Sequence, residues 1–151
     1  MRHIHVGERI ILTLWVGGLW AIGFLAVPVL FNTLDDRTLA GELAAPMFTI
    51  INGIGLACGG LLLLGAALDR GRGWYRSWRV GVIAIMVVGS AVILFVIQPQ
   101  MAVLKAQVAA AGGALGARFG RLHGISSMIY LVVSVLGLLL VAASGGRRGE
   151  P

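Results

Sequence analysis

The sequence predicts an all-α fold: a polytopic membrane protein built as a four-transmembrane-helix bundle, with both termini on the cytoplasmic side. Of its 151 residues, 58% are hydrophobic and only 12% are charged, and the mean hydropathy is +0.94. Such a chain has too little polar surface to cover a globule in water. It also contains four apolar stretches of roughly 20 residues, the length of helix that crosses a hydrocarbon core of about 30 Å. We therefore expect a single transmembrane domain over residues 1–151.

The first two spans are predicted at about residues 10–30 and 46–68. Basic residues precede the first span, as in a signal peptide, but the apolar run is too long for one, so we expect a retained helix. Asp36 is a residue type that caps helix N-termini, and it predicts that the second helix begins well before its apolar core. Pro46 then lies inside that helix and is expected to kink it, because proline lacks a backbone donor.

The third and fourth spans are predicted at about residues 80–97 and 122–143. Pro99 follows the third span and is expected to end or bend it. Residues 100–111 keep apolar side chains at helical spacing, which predicts a short amphipathic segment on the outer surface. The Gly-Gly pair that follows would terminate this segment. No internal repeat is evident in the sequence.

Lysine and arginine in the short loops predict the orientation. With the N-terminus inside, eight basic residues fall on the inner side: Arg2, Arg9, Arg70, Arg72, Arg76, Arg79, Arg147 and Arg148. Four fall on the outer side: Arg37, Lys105, Arg118 and Arg121. This excess predicts an N-in, C-in, multi-pass protein of an inner (cytoplasmic) membrane. Because the charges lie in clusters between apolar runs, the net charge of +6 does not indicate a nucleic-acid partner.

Trp74, Tyr75 and Trp78 lie among the inner arginines. Tryptophan and tyrosine are enriched at membrane–water interfaces, where their amphipathic rings meet the headgroups. These three residues therefore predict an interfacial aromatic anchor.

A polar stripe marks the fourth span. His123, Ser127, Tyr130 and Ser134 have offsets that place them on one helical face, and Ser126 flanks this face. Asn52 in the second span is expected at a depth similar to that of Ser127, roughly 10 Å in by helix rise, and within hydrogen-bond reach of fourth-span groups such as Ser127 or Tyr130. Polar groups within a span usually face the bundle interior. They either hold the helices together by hydrogen bonds or form a small outward-facing pocket, whose candidate ligand-binding residues are His123, Ser126, Ser127, Tyr130 and Asn52.

Four residues predicted in the outer half could bind a soft metal ion such as Cu(I): His123, Met47, Met101 and Met128. Methionine is equally a filler of apolar gaps, so both interpretations stay open. His3 and His5 precede the first span on the opposite side of the membrane from His123, which argues against a haem held by two histidines. No cofactor is predicted, although a soft metal ion or haem is conceivable.

No catalytic motif accompanies these residues. The chain has no Walker loop, HExxH, nucleophile elbow or paired intramembrane carboxylate, and its single cysteine, Cys58, cannot form an internal disulfide. The sequence therefore predicts a protein that is not an enzyme.

Several segments resemble a known family. They are LWVGGLWAIGFLAVPVLFNTL in the first span, AGELAAPMF around the start of the second, and FGRLHGISSMIY in the fourth. In this order and spacing they resemble the bacterial membrane family named domain of unknown function 4149, which is related to eukaryotic transmembrane protein 205. The resemblance implies a four-helix membrane fold, distantly similar to copper resistance protein D, and no established reaction. It also implies an Asn seven residues after the motif His, where this chain has Tyr130.

Three functions follow as hypotheses. The first is binding or passage of a small solute or soft metal ion through the outward-facing pocket; the platinum-drug resistance associated with the eukaryotic relative makes such handling conceivable. The second is a non-catalytic structural or assembly subunit of a larger membrane complex. The third, and weakest, is a haem-linked redox protein. The expected partners are the lipid bilayer and either a second copy of the chain or a larger membrane complex.

Overall fold

The computed structural model describes residues 2–70, 75, 77–111 and 114–145, and helix is the regular structure that these residues form. It contains four helices long and apolar enough to cross a membrane: Val6–Thr33, Arg37–Asp69, Trp78–Gln107 and Gly116–Ser144. Each predicted span lies inside one of these helices, which confirms the all-α membrane bundle. The N-in, C-in orientation stays a prediction. Several residues to which the sequence analysis assigned a role lie outside the described residues and side chains: Arg2, His3, His5, Arg70, Arg72, Trp74, Arg76, Gly112, Gly113, Arg147 and Arg148.

The helices are numbered in chain order. The first span is α1 (Arg2–Trp20), a π-helical turn (Ala21–Ala26) and α2 (Val27–Thr33). The second is α3 (Arg37–Arg70); the third is α4 (Trp78–Ala91), a second π-helical turn (Val92–Ile97) and α5 (Gln98–Ala111); and the fourth is α6 (Ala114–Gly145). The end of the bundle where residues 34–36 join α2 to α3 is called the site end. The opposite end, where α1 begins and α6 finishes, is called the terminal end.

The predicted amphipathic segment at residues 100–111 is a direct continuation of the third span, and its place at the outer surface stays a prediction. The helix continues through Pro99 into α5, which packs against α6 as part of the bundle. A proline inside an α-helix lacks a donor and clashes with the carbonyl four residues earlier. The second π turn ends two residues before Pro99 and widens the backbone there, so the proline is accommodated and does not end the helix.

The start of α3 matches its prediction. The Asp36 Oδ1 atom accepts hydrogen bonds from the backbone N–H of Thr38, at 2.7 Å, and of Leu39, at 3.3 Å. This is the N-cap arrangement, which pairs donors that the first helical turn leaves free. The same two bonds hold the pKa of the Asp36 carboxyl below its ordinary value. Pro46 lies inside α3 as expected.

Close helix packing around Trp15 forms the centre of the core. Trp15 is fully buried, and its indole lies against two glycines of α3. A Cβ added to Gly55 would stand 2.5 Å from Trp15 Nε1, and one added to Gly59 would stand 3.1 Å from Cη2. Small residues allow this approach between membrane helices. Large apolar side chains face outward, with Leu14 67% and Leu68 78% exposed, as expected of helices surrounded by lipid.

Candidate functional site

A cavity of about 1040 Å³ opens at the site end, and side chains from all four spans line it. Most of its wall is apolar, and four phenylalanines dominate that wall: Phe24, Phe31, Phe48 and Phe119. Along the first span the lining extends from Gly23 to Phe31, about 12 Å of helix rise. The cavity is therefore large and deep enough for a small organic molecule, whose pockets are typically 300–1,000 Å³.

Polar groups also line the cavity. Four of the five predicted ligand-binding residues belong to this lining: His123, Ser126, Ser127 and Tyr130, all on α6. Thr49 faces them from α3, and its hydroxyl donates to Gln98 Oε1 at 2.6 Å. Arg37 and Lys105 add two positive charges. The cavity thus combines an apolar body with a polar, cationic rim.

Tyr130 connects α6 to the backbone of the first span. Its hydroxyl donates to the Leu19 carbonyl at 2.6 Å. Leu19 lies two residues before the first π turn begins at Ala21, and a side chain at residue 23 would collide with the tyrosine ring. Tyr130 therefore stabilises the irregular backbone at the floor of the cavity.

His123 lies toward the cavity mouth, where it is exposed. Its ring stacks on Phe119 with a centroid distance of 6.3 Å and an interplanar angle of 6°. The Ser127 hydroxyl donates to the backbone carbonyl of His123 at 2.9 Å, within the same helix. Both side chains are therefore open to the cavity, and no hydrogen bond between them preorganises a nucleophile and a base.

The Lys105–Glu42 ion pair joins α5 to α3 at the cavity mouth. The Lys105 Nζ atom lies 3.1 Å from Glu42 Oε1, with 41% and 55% of the two side chains exposed. Arg37 forms no ion pair with any residue in the described part of the chain. One cationic side chain of the rim is therefore neutralised by a partner and the other is available.

Asn52 corrects one detail of the sequence analysis. It points into the bundle, as predicted, and is 1% exposed. We also expected it to bond to Ser127 or Tyr130, but its Nδ2 donates to the Phe48 carbonyl of its own helix at 2.8 Å. Both expected partners are engaged elsewhere, Ser127 within α6 and Tyr130 with the first span. Asn52 is also absent from the cavity lining.

The proposed metal ligands are not all brought together. His123 and Met101 line the cavity, whereas Met47 and Met128 do not, and Met128 is 65% exposed. Within the described residues, no group of three or more His, Cys, Asp or Glu side chains could hold a metal ion. The geometry gives less support to a soft-metal site than to an organic ligand.

The sequence analysis missed the phenylalanines and the cationic rim. Arg37 and Lys105 entered it only as topology signals, and phenylalanine in a membrane span carries no signal of its own because lipid-facing positions use it equally. Only the rotation of each helix decides which phenylalanines face the cavity.

Comparison with known proteins finds a matching family. The family model described as Domain of unknown function (DUF4149) matches residues 10–110. No match is found among curated proteins or among solved structures. The match covers three of the four spans and confirms the family that the sequence motifs indicated; the relation to transmembrane protein 205 and copper resistance protein D stays a prediction.

Proposed function

This chain belongs to the DUF4149 family, whose function is unknown, and we propose that it binds a small amphipathic anion in the cavity at the site end. The ligand would have an apolar body and a carboxylate or phosphate at one end. The observation that carries the proposal is that one cavity of about 1040 Å³ is lined both by four phenylalanines and by two cationic side chains, Arg37 and Lys105.

The apolar body supplies most of the binding energy. Burial of apolar surface contributes roughly 25 cal/mol per Å², and the ligand would leave an aqueous or interfacial environment for four aromatic rings. The hydroxyls of Ser126 and Ser127, with the His123 imidazole, offer donors and acceptors that could orient it. This arrangement of a mainly apolar wall with a few convergent polar groups is typical of small-molecule sites.

The rim favours an anion over a neutral molecule or a cation. Arg37 lines the cavity and has no ionic partner among the described residues. A guanidinium matches carboxylate and phosphate geometry, because its parallel N–H groups can donate to two oxygens at once. Lys105 is already paired with Glu42, so we assign it the smaller contribution.

Binding without chemistry is part of the proposal. No nucleophile and base are hydrogen-bonded in the described part of the cavity, and only two of the four candidate metal ligands line it.

We further propose that the site end faces the outside of a bacterial inner membrane. A cysteine at Arg121, introduced with Cys58→Ala, should react with an impermeant maleimide in intact cells; reaction only after lysis would reverse the orientation.

A fluorescent fatty acid tests the ligand class. We would titrate a dansylated fatty acid against the purified protein in nanodiscs and compare it with the corresponding dansylated alcohol. The acid should bind more tightly than the alcohol. Arg37→Gln should weaken acid binding about fivefold, roughly 1 kcal/mol, as for a partly exposed charge pair, and should leave alcohol binding unchanged. Arg121→Gln, which removes a positive charge from the same end but does not line the cavity, is the matched control.

A cavity-filling pair tests the location. Ala102 lines the cavity and Ala106, one turn further along α5, does not; both are exposed. Ala102→Trp should abolish acid binding and Ala106→Trp should preserve it. Equal binding by the two variants would contradict the proposed site, and equal affinity for acid and alcohol would contradict the anionic class.

A further inference from the structure

The two π turns occupy equivalent positions in the chain. The first turn spans Ala21–Ala26 and the second spans Val92–Ile97. The second turn therefore begins and ends 71 residues after the first. Each turn ends two residues before a proline, Pro28 or Pro99. π-helical turns are rare and usually occur singly within α-helices. Here two π turns each lie two residues before a proline, which indicates that the first and third spans are structurally equivalent.

The same spacing of 71 residues aligns the two halves of the sequence. Identical residues at this spacing include Gly18 and Gly89, Phe24 and Phe95, Pro28 and Pro99, Phe48 and Phe119, Gly53 and Gly124, and Ile54 and Ile125. The alignment therefore continues from the first and third spans into the second and fourth. It makes Asn52 the equivalent of His123. A two-helix unit, one span up and one span down, accounts for the pattern.

Burial follows the alignment too. Leu12 and Ile83, Trp15 and Met86, and Leu19 and Ser90 are equivalent pairs, and all six residues are buried. On the lipid side, Leu14 and its equivalent Ile85 are 67% and 56% exposed. The first and third spans therefore have the same rotation in the bundle, and each half turns corresponding faces inward.

The cavity lies between the two halves. Equivalent pairs line it from both sides, Phe31 with Ala102 and Phe48 with Phe119. In transporters built from repeats, interrupted helices at corresponding positions of the two halves mark the binding site. Here Gly23 of the first π turn and Ile93 of the second belong to the cavity lining, so both interruptions reach it.

The segments beyond the π turns are less firmly packed than those before them. No residue of α2 is buried, whereas α1 buries Leu12, Trp15, Val16 and Leu19. In α5, Leu104 is the buried residue among the described side chains, against four in α4. Segments with few buried contacts open at low free energy. The α2 and α5 segments are called the site-end arms.

From these observations we infer that the chain is a tandem repeat of a two-helix unit, and that its two π turns are equivalent hinges on which the site-end arms open and close the cavity. Each proline removes a backbone donor next to a widened turn, which leaves fewer hydrogen bonds to resist bending. The role as a gate rests on the proposed function of the cavity, whereas the repeat and the motion do not.

Spin-label distances in the full-length protein test the hinges. With Cys58→Ala as background, one label pair is placed at Asn32 and Val103, which are equivalent positions on the two arms and are both exposed. The control pair is placed at Leu14 and Ile85, equivalent exposed positions on the other side of the π turns. Measured by electron–electron double resonance in nanodiscs, the arm pair should give a distance distribution at least about twice as wide as the control pair. No ligand is needed, so failure of ligand binding and failure of the hinge are separate results.

The proline variants test equivalence. Pro28→Ala and Pro99→Ala each restore a backbone donor and should each narrow the arm distribution, leaving the control pair unchanged. An effect of one variant alone would overturn the equivalence of the two hinges. In the protein that keeps both prolines, a distance distribution for the arm pair as narrow as that of the control pair would overturn the hinge itself. This comparison tests the hinge even if a proline variant fails to fold.

Discussion

Replacing Tyr130 by phenylalanine should destabilise the bundle by about 1–2 kcal/mol. The substitution keeps the ring, including its edge-to-face contact with Phe48 at a centroid distance of 5.1 Å, and removes only the hydroxyl. That hydroxyl donates to the Leu19 carbonyl. Interhelical hydrogen bonds in membranes average about 0.6 kcal/mol each. The loss is larger if the Leu19 carbonyl then stays unpaired, because a buried unsatisfied group costs about 1–3 kcal/mol.

The assay is reversible unfolding in mixed micelles, with Tyr75→Phe as the matched control. Tyr75 is 66% exposed, so the same chemical change there should alter the free energy of unfolding by less than about 0.5 kcal/mol. Amide hydrogen exchange supplies a local measurement, because Tyr130→Phe should change the protection of the amides in the first π turn, next to Leu19. Equal effects of the two variants on stability, together with unchanged protection of that turn, would refute the anchoring role of the hydroxyl.

Three further predictions concern Lys105, Asn52 and Asp36. A double-mutant cycle of Lys105→Ala and Glu42→Ala should give a coupling of about 0.2–1 kcal/mol, as for other exposed ion pairs, that shrinks in 1 M salt; a coupling insensitive to salt would contradict this. Asn52→Leu should leave the free energy of unfolding unchanged or raise it by up to about 1 kcal/mol, because the Asn52 Oδ1 atom has no partner in the described part of the structure. The same variant should not alter ligand binding. A loss of stability above about 2 kcal/mol would show that the amide is fully paired. The helix-capping bonds of Asp36 lower the pKa of its carboxyl, so its contribution to the free energy of unfolding is present above the unfolded pKa and is lost as pH falls through the folded value. Acid unfolding measured by circular dichroism should therefore lose this component in Asp36→Asn. An acid profile identical to that of the unsubstituted protein would exclude the contribution.

The repeat shows why some features are hard to read in a membrane sequence. Leucine, isoleucine and valine replace one another freely on lipid-facing positions, so the two halves share few identical residues against an apolar background. The paired prolines and phenylalanines are visible in the sequence, but each has an ordinary interpretation as a helix kink or an apolar side chain. The two π turns, which depend on backbone hydrogen bonds, made the spacing of 71 residues recognisable.

The sequence by itself determined the four spans, the cap at Asp36 and the polar face of α6, because hydropathy, capping and helical periodicity are local properties of the chain. Only the tertiary structure decided where those polar groups find partners. Tyr130 bonds to a backbone 111 residues away, Asn52 turns back to its own helix, and Pro99 lies within a continuous helix because a π turn widens the backbone before it. Each of these outcomes depends on the rotation and spacing of neighbouring helices, which the apolar packing of the whole bundle determines and no single segment specifies.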